Sequence, residues 1–281
     1  MAQPSPQATA RIGRLSPQAL AFARRILLPL VRLLWRPTLT GLEHLPTGPF
    51  LLVANHSAGI GLAELLCFAA LYVHQAGPDR PLAGFALARG FALWPLSRLH
   101  PHVGTIPSTY EAAADAIGQG VPILVFPGGD HESLQPIWTP NRVDFCGRVG
   151  FLRIAHQHQL PLVPLGIRGG AWTAPIVLRA RWLATALVVP RWVLGVKRWG
   201  ISVLALGGTA AIWALPWPWP IRVALALLWM GSPLTFLPWL PATLRLRIGP
   251  ALPPPGADLL AELAKVERAV QGLVDAAATA R

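Results

Sequence analysis

Cysteine is nearly absent from this 281-residue chain, which holds only Cys67 and Cys146. Two thiols exclude a disulfide framework, and no metal-ligand spacing surrounds either of them. A reducing, cytoplasmic-side location is therefore allowed. Charge is also scarce: Asp, Glu, Lys and Arg make up 13% of the residues, against about 25% in an ordinary soluble domain. Acids are the rarer sign, 12 against 24 Lys and Arg, for a net charge of +12. No helix-turn-helix, zinc-finger or aromatic RNA-binding signature occurs, so nucleic acid is set aside as the partner of this basic surface. The first 18 residues, MAQPSPQATARIGRLSPQ, lack the apolar core and cleavage site of a signal peptide. Residues 1–17 read as a short disordered leader.

What is abundant is apolar sequence. Hydrophobic residues account for 53% of the chain, and mean hydropathy is positive. A greasy, basic chain fits a membrane surface with anionic lipids. The length suits one large domain or one domain plus an appendage. No internal repeat is visible, and oligomeric state is not legible.

Residues 18–40 are assigned to an amphipathic membrane-interface helix. At 100° per residue, Arg24, Arg25, Arg32 and Arg36 share one sector, and Ile26, Leu27, Leu30, Leu33 and Leu34 lie opposite. The competing reading packs the apolar stripe on the protein's own core. Pro29 removes a backbone hydrogen bond and is expected to kink the helix.

From residue 50 to about 180, buried strands alternate with helices. FLLVA (50–54), PILVF (122–126) and PLVPLGI (161–167) are short, apolar and bounded by turn residues. Ser108-Thr109-Tyr110-Glu111 reads as a capping box opening an alanine-rich helix that ends near Gly118 and Gly120. A further helix is expected over residues 150–159. This pattern predicts an α/β fold with a layered central sheet flanked by helices. The domain is assigned to 41–182 and 243–281, closed by a strand at TLRLRIG (243–249) and an amphipathic helix at 257–278.

Residues 183–242 differ in kind. Between Ile201 and Leu244, Arg222 is the one charged residue. The segment reads as a hydrophobic helical hairpin with its Trp217-Pro218-Trp219 tip in or across the membrane. Lys197-Arg198 and Arg245-Arg247 would then flank it on the cytoplasmic side. Arg222 would snorkel to head groups, favouring a nearly complete crossing. The alternative packs both helices on the domain.

The chemistry gathers at two strand ends. Asn55-His56-Ser57 follows the first strand, with glycines and the acid Glu64 close behind. Phe126-Pro127-Gly128-Gly129-Asp130-His131-Glu132 ends the second. Two glycine-flanked polar turns at one sheet edge predict a shared ligand site. Gly128 and Gly129 let backbone approach a ligand and aim amides at it. Asp130, His131 and Glu132 either polarise a hydroxyl or hold the loop.

These blocks resemble the glycerolipid acyltransferase superfamily that includes the lysophosphatidic acid acyltransferases. Asn55-His56 is similar to the start of its His-x4-Asp motif, and Gly104-Thr105-Ile106-Pro107-Ser108 falls where its second motif lies. VFPGGDHE is similar to its Phe-Pro-Glu-Gly-Thr-Arg motif, and LPLVPLGIRGG to its fourth, proline-containing strand. The resemblance covers roughly residues 40–170 and implies a membrane-associated O-acyltransferase with its site on the cytoplasmic side. It implies a lipid acceptor, and acyl-CoA or acyl carrier protein as co-substrate, with no further cofactor and no metal. His56 would be the general base and a carboxylate its partner, with Asn55, Ser57 and residues 126–132 contacting substrate. Backbone amides near Gly128 would stabilise the oxyanion.

The departures matter. Gly61 stands where the motif has Asp, so either Glu64 loops back to His56, or Asp130 supplies the carboxylate, or the site is silent; Glu64 is preferred. The second and third motifs lack their arginines, reading Pro107-Ser108 and Asp130-His131-Glu132. That disfavours a phosphorylated acceptor and points to a neutral lipid alcohol such as diacylglycerol, with Arg89, Arg98 and Arg142 the remaining candidates for phosphate contact. Rival readings are a catalytically silent lipid-binding member of the fold, and a structural membrane protein whose His56 lies far from every acid.

Overall fold

The computed structural model describes residues 12–57 and 59–279. Of the expected leader, residues 1–11 lie outside the described residues. The next few are tied down: Gly13 N–H donates to the Gly104 carbonyl and Ser16 N–H to that of His102.

Nine strands are found among the described residues. They are β1 (Thr38–Thr40), β2 (Leu51–Ala54), β3 (Ala83–Ala86), β4 (Ile106–Pro107), β5 (Ile123–Val125), β6 (Leu162–Arg168), β7 (Ile176–Ala180), β8 (Trp199–Ser202) and β9 (Arg245–Ile248). Seven form one sheet in the order β1-β9-β6-β2-β5-β3-β4. It is mixed: β9 runs antiparallel to β6, whereas β2 is parallel to both its neighbours, β5 and β6. The four strands expected at 50–54, 122–126, 161–167 and 243–249 are found within two residues of those bounds, whereas β1, β3, β4, β7 and β8 have no expected counterpart.

Helices cover both faces, which is why β2 carries no polar alternation. Phe50, Leu52 and Ala54 join helices Leu28–Trp35 and Leu62–Gln75 in one buried cluster. Leu51 and Val53 face the other way, toward helices Tyr110–Gly118, Gly150–Gln157 and Leu259–Thr279. Each such leucine or valine, fully buried, contributes about 1.5–3 kcal/mol. Thr109, one residue later than the expected capping box, is the N-cap of Tyr110–Gly118 and accepts from the Ala112 amide.

The N-terminal helix packs one apolar stripe on the core and leaves another exposed. Ala23, Leu27, Leu28, Val31 and Trp35 are buried on the core, while Phe22, Ile26, Leu30 and Leu33 form a second, exposed apolar stripe. Arg24, Arg25, Arg32 and Arg36 are exposed as well. Pro29 is accommodated by a π turn at Ala23–Leu27, closed by the Leu28 N–H on the Ala23 carbonyl. Widening the preceding turn relieves the clash that a proline ring makes in a regular helix.

The expected hairpin over 183–242 is corrected. Residues up to 202 belong to a small unit built on the antiparallel β7–β8 pair, with a core of Leu134, Ile176, Leu183, Trp199 and Phe236. The hairpin itself is limited to helices Val203–Trp213 and Trp219–Met230, of 11 and 12 residues. At about 1.5 Å per residue each spans some 17 Å, short of a hydrocarbon core of about 30 Å. No helix among the described residues is long and apolar enough to cross a membrane. Arg222 donates to the Trp213 carbonyl at 3.0 Å and lies over the Trp213 ring, while its Nε is buried without a hydrogen-bond partner. Arg245 and Arg247 are not hairpin flanks either: they belong to β9, inside the main sheet.

Candidate active site

Parallel pairing of β2 and β5 sets the site. Val53 lies opposite Val125, so both chains leave the sheet at the same edge, His56 from one and Gly128 from the other. Such an edge, at the carboxyl ends of parallel strands, is where open α/β sheets hold ligands. Asn55 fixes the exit. Its buried amide donates to the Ile167 carbonyl at 2.8 Å and accepts from the Ile167 N–H at 2.7 Å, locking β2 to β6.

His56 and Glu64 are brought together. His56 Nδ1 lies 3.0 Å from Glu64 Oε2, although eight residues separate them in sequence. Glu64 sits in the first turn of helix Leu62–Gln75 and is completely buried. Its remaining capacity is filled by Ser57, whose N–H donates to Oε2 at 3.0 Å and whose hydroxyl donates to Oε1. A carboxyl group at Nδ1 selects the tautomer with the proton on that nitrogen and leaves the Nε2 lone pair free. Nε2 makes no hydrogen bond among the described residues. The ring is 14% exposed and packs against Phe126, centroid to centroid 4.6 Å.

Two glycines make this arrangement possible. Gly61 holds φ +62°, and a Cβ there would fall 1.6 Å from His56 Cε1. A Cβ on Gly170 would fall 2.0 Å from Glu64 Oε1 and 2.6 Å from the Ser57 hydroxyl. The position that carries Asp in the motif is therefore occupied by the imidazole itself, and the acid comes from one helical turn further on.

The Phe126–Glu132 loop differs from its expected substrate-binding role. Asp130 does not reach His56. Its carboxylate pairs with Arg148 and accepts the Lys197 and Arg198 amides at 3.0 Å each, with the Arg198 guanidinium at 3.7 Å. Burial pushes Asp130 up, but these donors and charges outweigh it and hold the carboxyl below its ordinary value. His131 pairs with Asp144 at 2.9 Å, and its carbonyl accepts from Arg179. Glu132 is 1% exposed and accepts the His56 N–H at 3.0 Å and the Asp144 N–H at 3.1 Å. Burial pushes Glu132 well above the usual carboxylate range, opposed by those two amides and reinforced by Glu64.

The polar side-chain atoms of Asn55, Ser57, Asp130 and Glu132 are thus engaged by protein partners, as is Nε2 of His131, whereas His131 Nδ1 is buried without one. The Gly129 amide bonds the Phe126 carbonyl, and the His131 and Glu132 amides bond that of Gly128. These three are not the free oxyanion donors that the glycines suggest. Phe126 and Pro127 remain beside His56 as half-buried apolar surface. Sequence reasoning missed Asp144, Arg148, Arg179 and Arg198. They lie in irregular loops or on the β7–β8 pair, with partners up to 68 residues away, and no periodicity marks them.

The α/β sheet thus carries, at its carboxyl edge, a histidine backed by a buried acid. Residues 36–168, from the end of the N-terminal helix to the last residue of β6, match the family model described as Acyltransferase. That match, over just under half of the chain, is to an acyltransferase domain, the class that the four sequence blocks resemble. No curated protein matches the chain. Its fold is similar to the crystal structure of the 1-acyl-sn-glycerophosphate (LPA) acyltransferase PlsC from Thermotoga maritima, at 18% identity and a TM-score of 0.51. That match covers 94% of this chain and 81% of the other. The likeness is one of fold.

Proposed function

We propose that this protein is a membrane-associated O-acyltransferase that moves a fatty acyl group from acyl-CoA or acyl carrier protein to a glycerolipid hydroxyl. One observation carries this reading: the 3.0 Å contact between His56 Nδ1 and Glu64, which leaves the Nε2 lone pair free to accept a proton. Nε2 takes the acceptor's hydroxyl proton as the oxygen attacks the thioester carbonyl. Glu64 holds the imidazolium that forms. When the tetrahedral intermediate collapses, the C–S bond breaks, the thiolate takes the proton back from His56, and an ester C–O bond remains. His56 returns to its starting state. No covalent enzyme intermediate and no further cofactor enter this sequence.

A neutral acceptor such as diacylglycerol is favoured by the arginines beside the loop. Asp130 engages both Arg148 and Arg198, which offsets one of their two charges and occupies donors that a phosphate would need. Acyl transfer is to be measured with long-chain acyl-CoA and, in parallel, diacylglycerol and lysophosphatidic acid in mixed micelles. Transfer to diacylglycerol at several times the rate to lysophosphatidic acid is expected. A strong preference for the phosphorylated acceptor would refute neutrality, and no transfer to either would refute the glycerolipid reading.

Membrane association is part of the same proposal. Nine of the twelve tryptophans are exposed, a large number to leave in water unless the surface is meant for an interface. The hairpin exposes Leu206, Trp213, Trp217, Trp219 and Leu228 and carries a single arginine, bonded to the Trp213 carbonyl. It is long enough to enter one leaflet. The exposed stripe of Phe22, Ile26, Leu30 and Leu33 beside Arg24, Arg25 and Arg32 supplies a second contact with anionic lipid. The site is assigned to the cytoplasmic side as part of the same reading. In flotation with anionic vesicles, the Trp217→Ala/Trp219→Ala protein is expected to show a bound fraction reduced several-fold. Unchanged flotation removes the hairpin from the membrane contact.

A further inference from the structure

We infer that Glu132 is the positioning residue for His56, standing in for the glutamate that the third motif carries at position 128. This rests on the reading of His56 as the base. Aligned on Phe-Pro-Glu-Gly-Thr-Arg, the block VFPGGDHE puts glycine at the motif's acidic position. The space is not left empty. A Cβ built on Gly128 would lie 2.4 Å from both Cβ and Oε2 of Glu132, so Glu132 fills the volume where a side chain at 128 would begin.

The same exchange occurs in the first motif. There Gly61 replaces the acid, His56 occupies the Cβ volume, and Glu64 supplies the carboxyl group from three residues downstream. In the third motif the displacement is four residues, again one turn of helix, within Gly129–Ser133. Two motif acids are thus exchanged for glycine, each re-supplied from the next turn.

Both relocated acids converge on His56. Glu64 binds the ring at Nδ1, and Glu132 accepts the backbone N–H at 3.0 Å. The second oxygen of Glu132 accepts the Asp144 N–H at 3.1 Å, and Asp144 in turn holds His131 Nε2 at 2.9 Å. Glu132 therefore ties three segments together behind the base: the turn after β2, its own helix and the loop at 144. Both carboxyl oxygens are needed for this. An amide in its place has one acceptor oxygen, so one of the two N–H groups loses its partner. A misplacement of about 1 Å at the base is enough to slow a reaction about 10²-fold.

Three variants test the inference: Glu132→Gln, Gly128→Glu and the transposition Gly128→Glu/Glu132→Gly. Glu132→Gln is expected to lower kcat ten- to a hundredfold with KM within about twofold, because the base moves while the substrate surface does not. Its amide exchange over residues 50–60 should rise. Gly128→Glu alone should lose more, since its side chain has no volume to enter. The transposed protein should recover at least tenfold in kcat over Gly128→Glu. Wild-type kcat and exchange in Glu132→Gln would overturn the inference. If Glu132→Gln does not fold, the transposition decides, and a transposed protein no better than Gly128→Glu overturns it. Failure of the base reading shows separately, as an active His56→Ala protein; the exchange measurement does not depend on it.

Discussion

Restoring the motif's aspartate at position 61 is expected to inactivate this enzyme. The residue that looks missing in the sequence is excluded by geometry. A Cβ at 61 would lie 1.6 Å from His56 Cε1, 2.3 Å from Nδ1 and 2.6 Å from Nε2, so the ring must leave its place before any side chain fits. Leaving means losing Glu64, whose position is fixed by Ser57 and by the close approach of Gly170. The backbone adds to the effect. At φ +62° a non-glycine residue costs about 1–2 kcal/mol. Gly61→Asp and Gly61→Ala are both expected to lose at least about 10²-fold in kcat/KM, the alanine showing that the Cβ alone suffices. Wild-type kcat/KM in Gly61→Asp would mean that the ring does not occupy that volume during turnover.

The central strands and the dyad were the legible part, for physical reasons. FLLVA, PILVF and PLVPLGI are buried on both faces, and double burial leaves an uninterrupted apolar run that few other environments tolerate. His56 and Glu64 stand eight residues apart on one turn and the helix after it, so their meeting needs only local geometry. What could not be read depends on distant partners. Asp130 finds Arg148 and the amides of residues 197 and 198, and Glu132 finds His56 and Asp144. A loop acid reads the same in sequence whether it faces a ligand or a guanidinium. The length of the hairpin was misjudged because apolar composition is blind to helix ends. Residues 201–241 look long enough to cross a bilayer, yet Trp199–Ser202 pairs with β7 and the prolines at 216–220 separate two short helices. The N-terminal helix carries apolar residues on two stripes, and composition alone did not say which one the core would take.

The largest effect is expected from His56→Ala. General-base catalysis by a positioned imidazole contributes about 10²–10⁴-fold. The fold should survive. Asn55 and Glu132 hold the neighbouring backbone through their own side chains, bonds that do not involve the imidazole. The loss should therefore appear in turnover and not in unfolding. Acyl transfer by His56→Ala from the same acyl-CoA to the same acceptor, measured beside its thermal unfolding, is the decisive experiment. A folded protein at least a hundredfold slower in kcat/KM is the expected result. A folded protein that transfers acyl groups at the wild-type rate would contradict the assignment of His56 as the base.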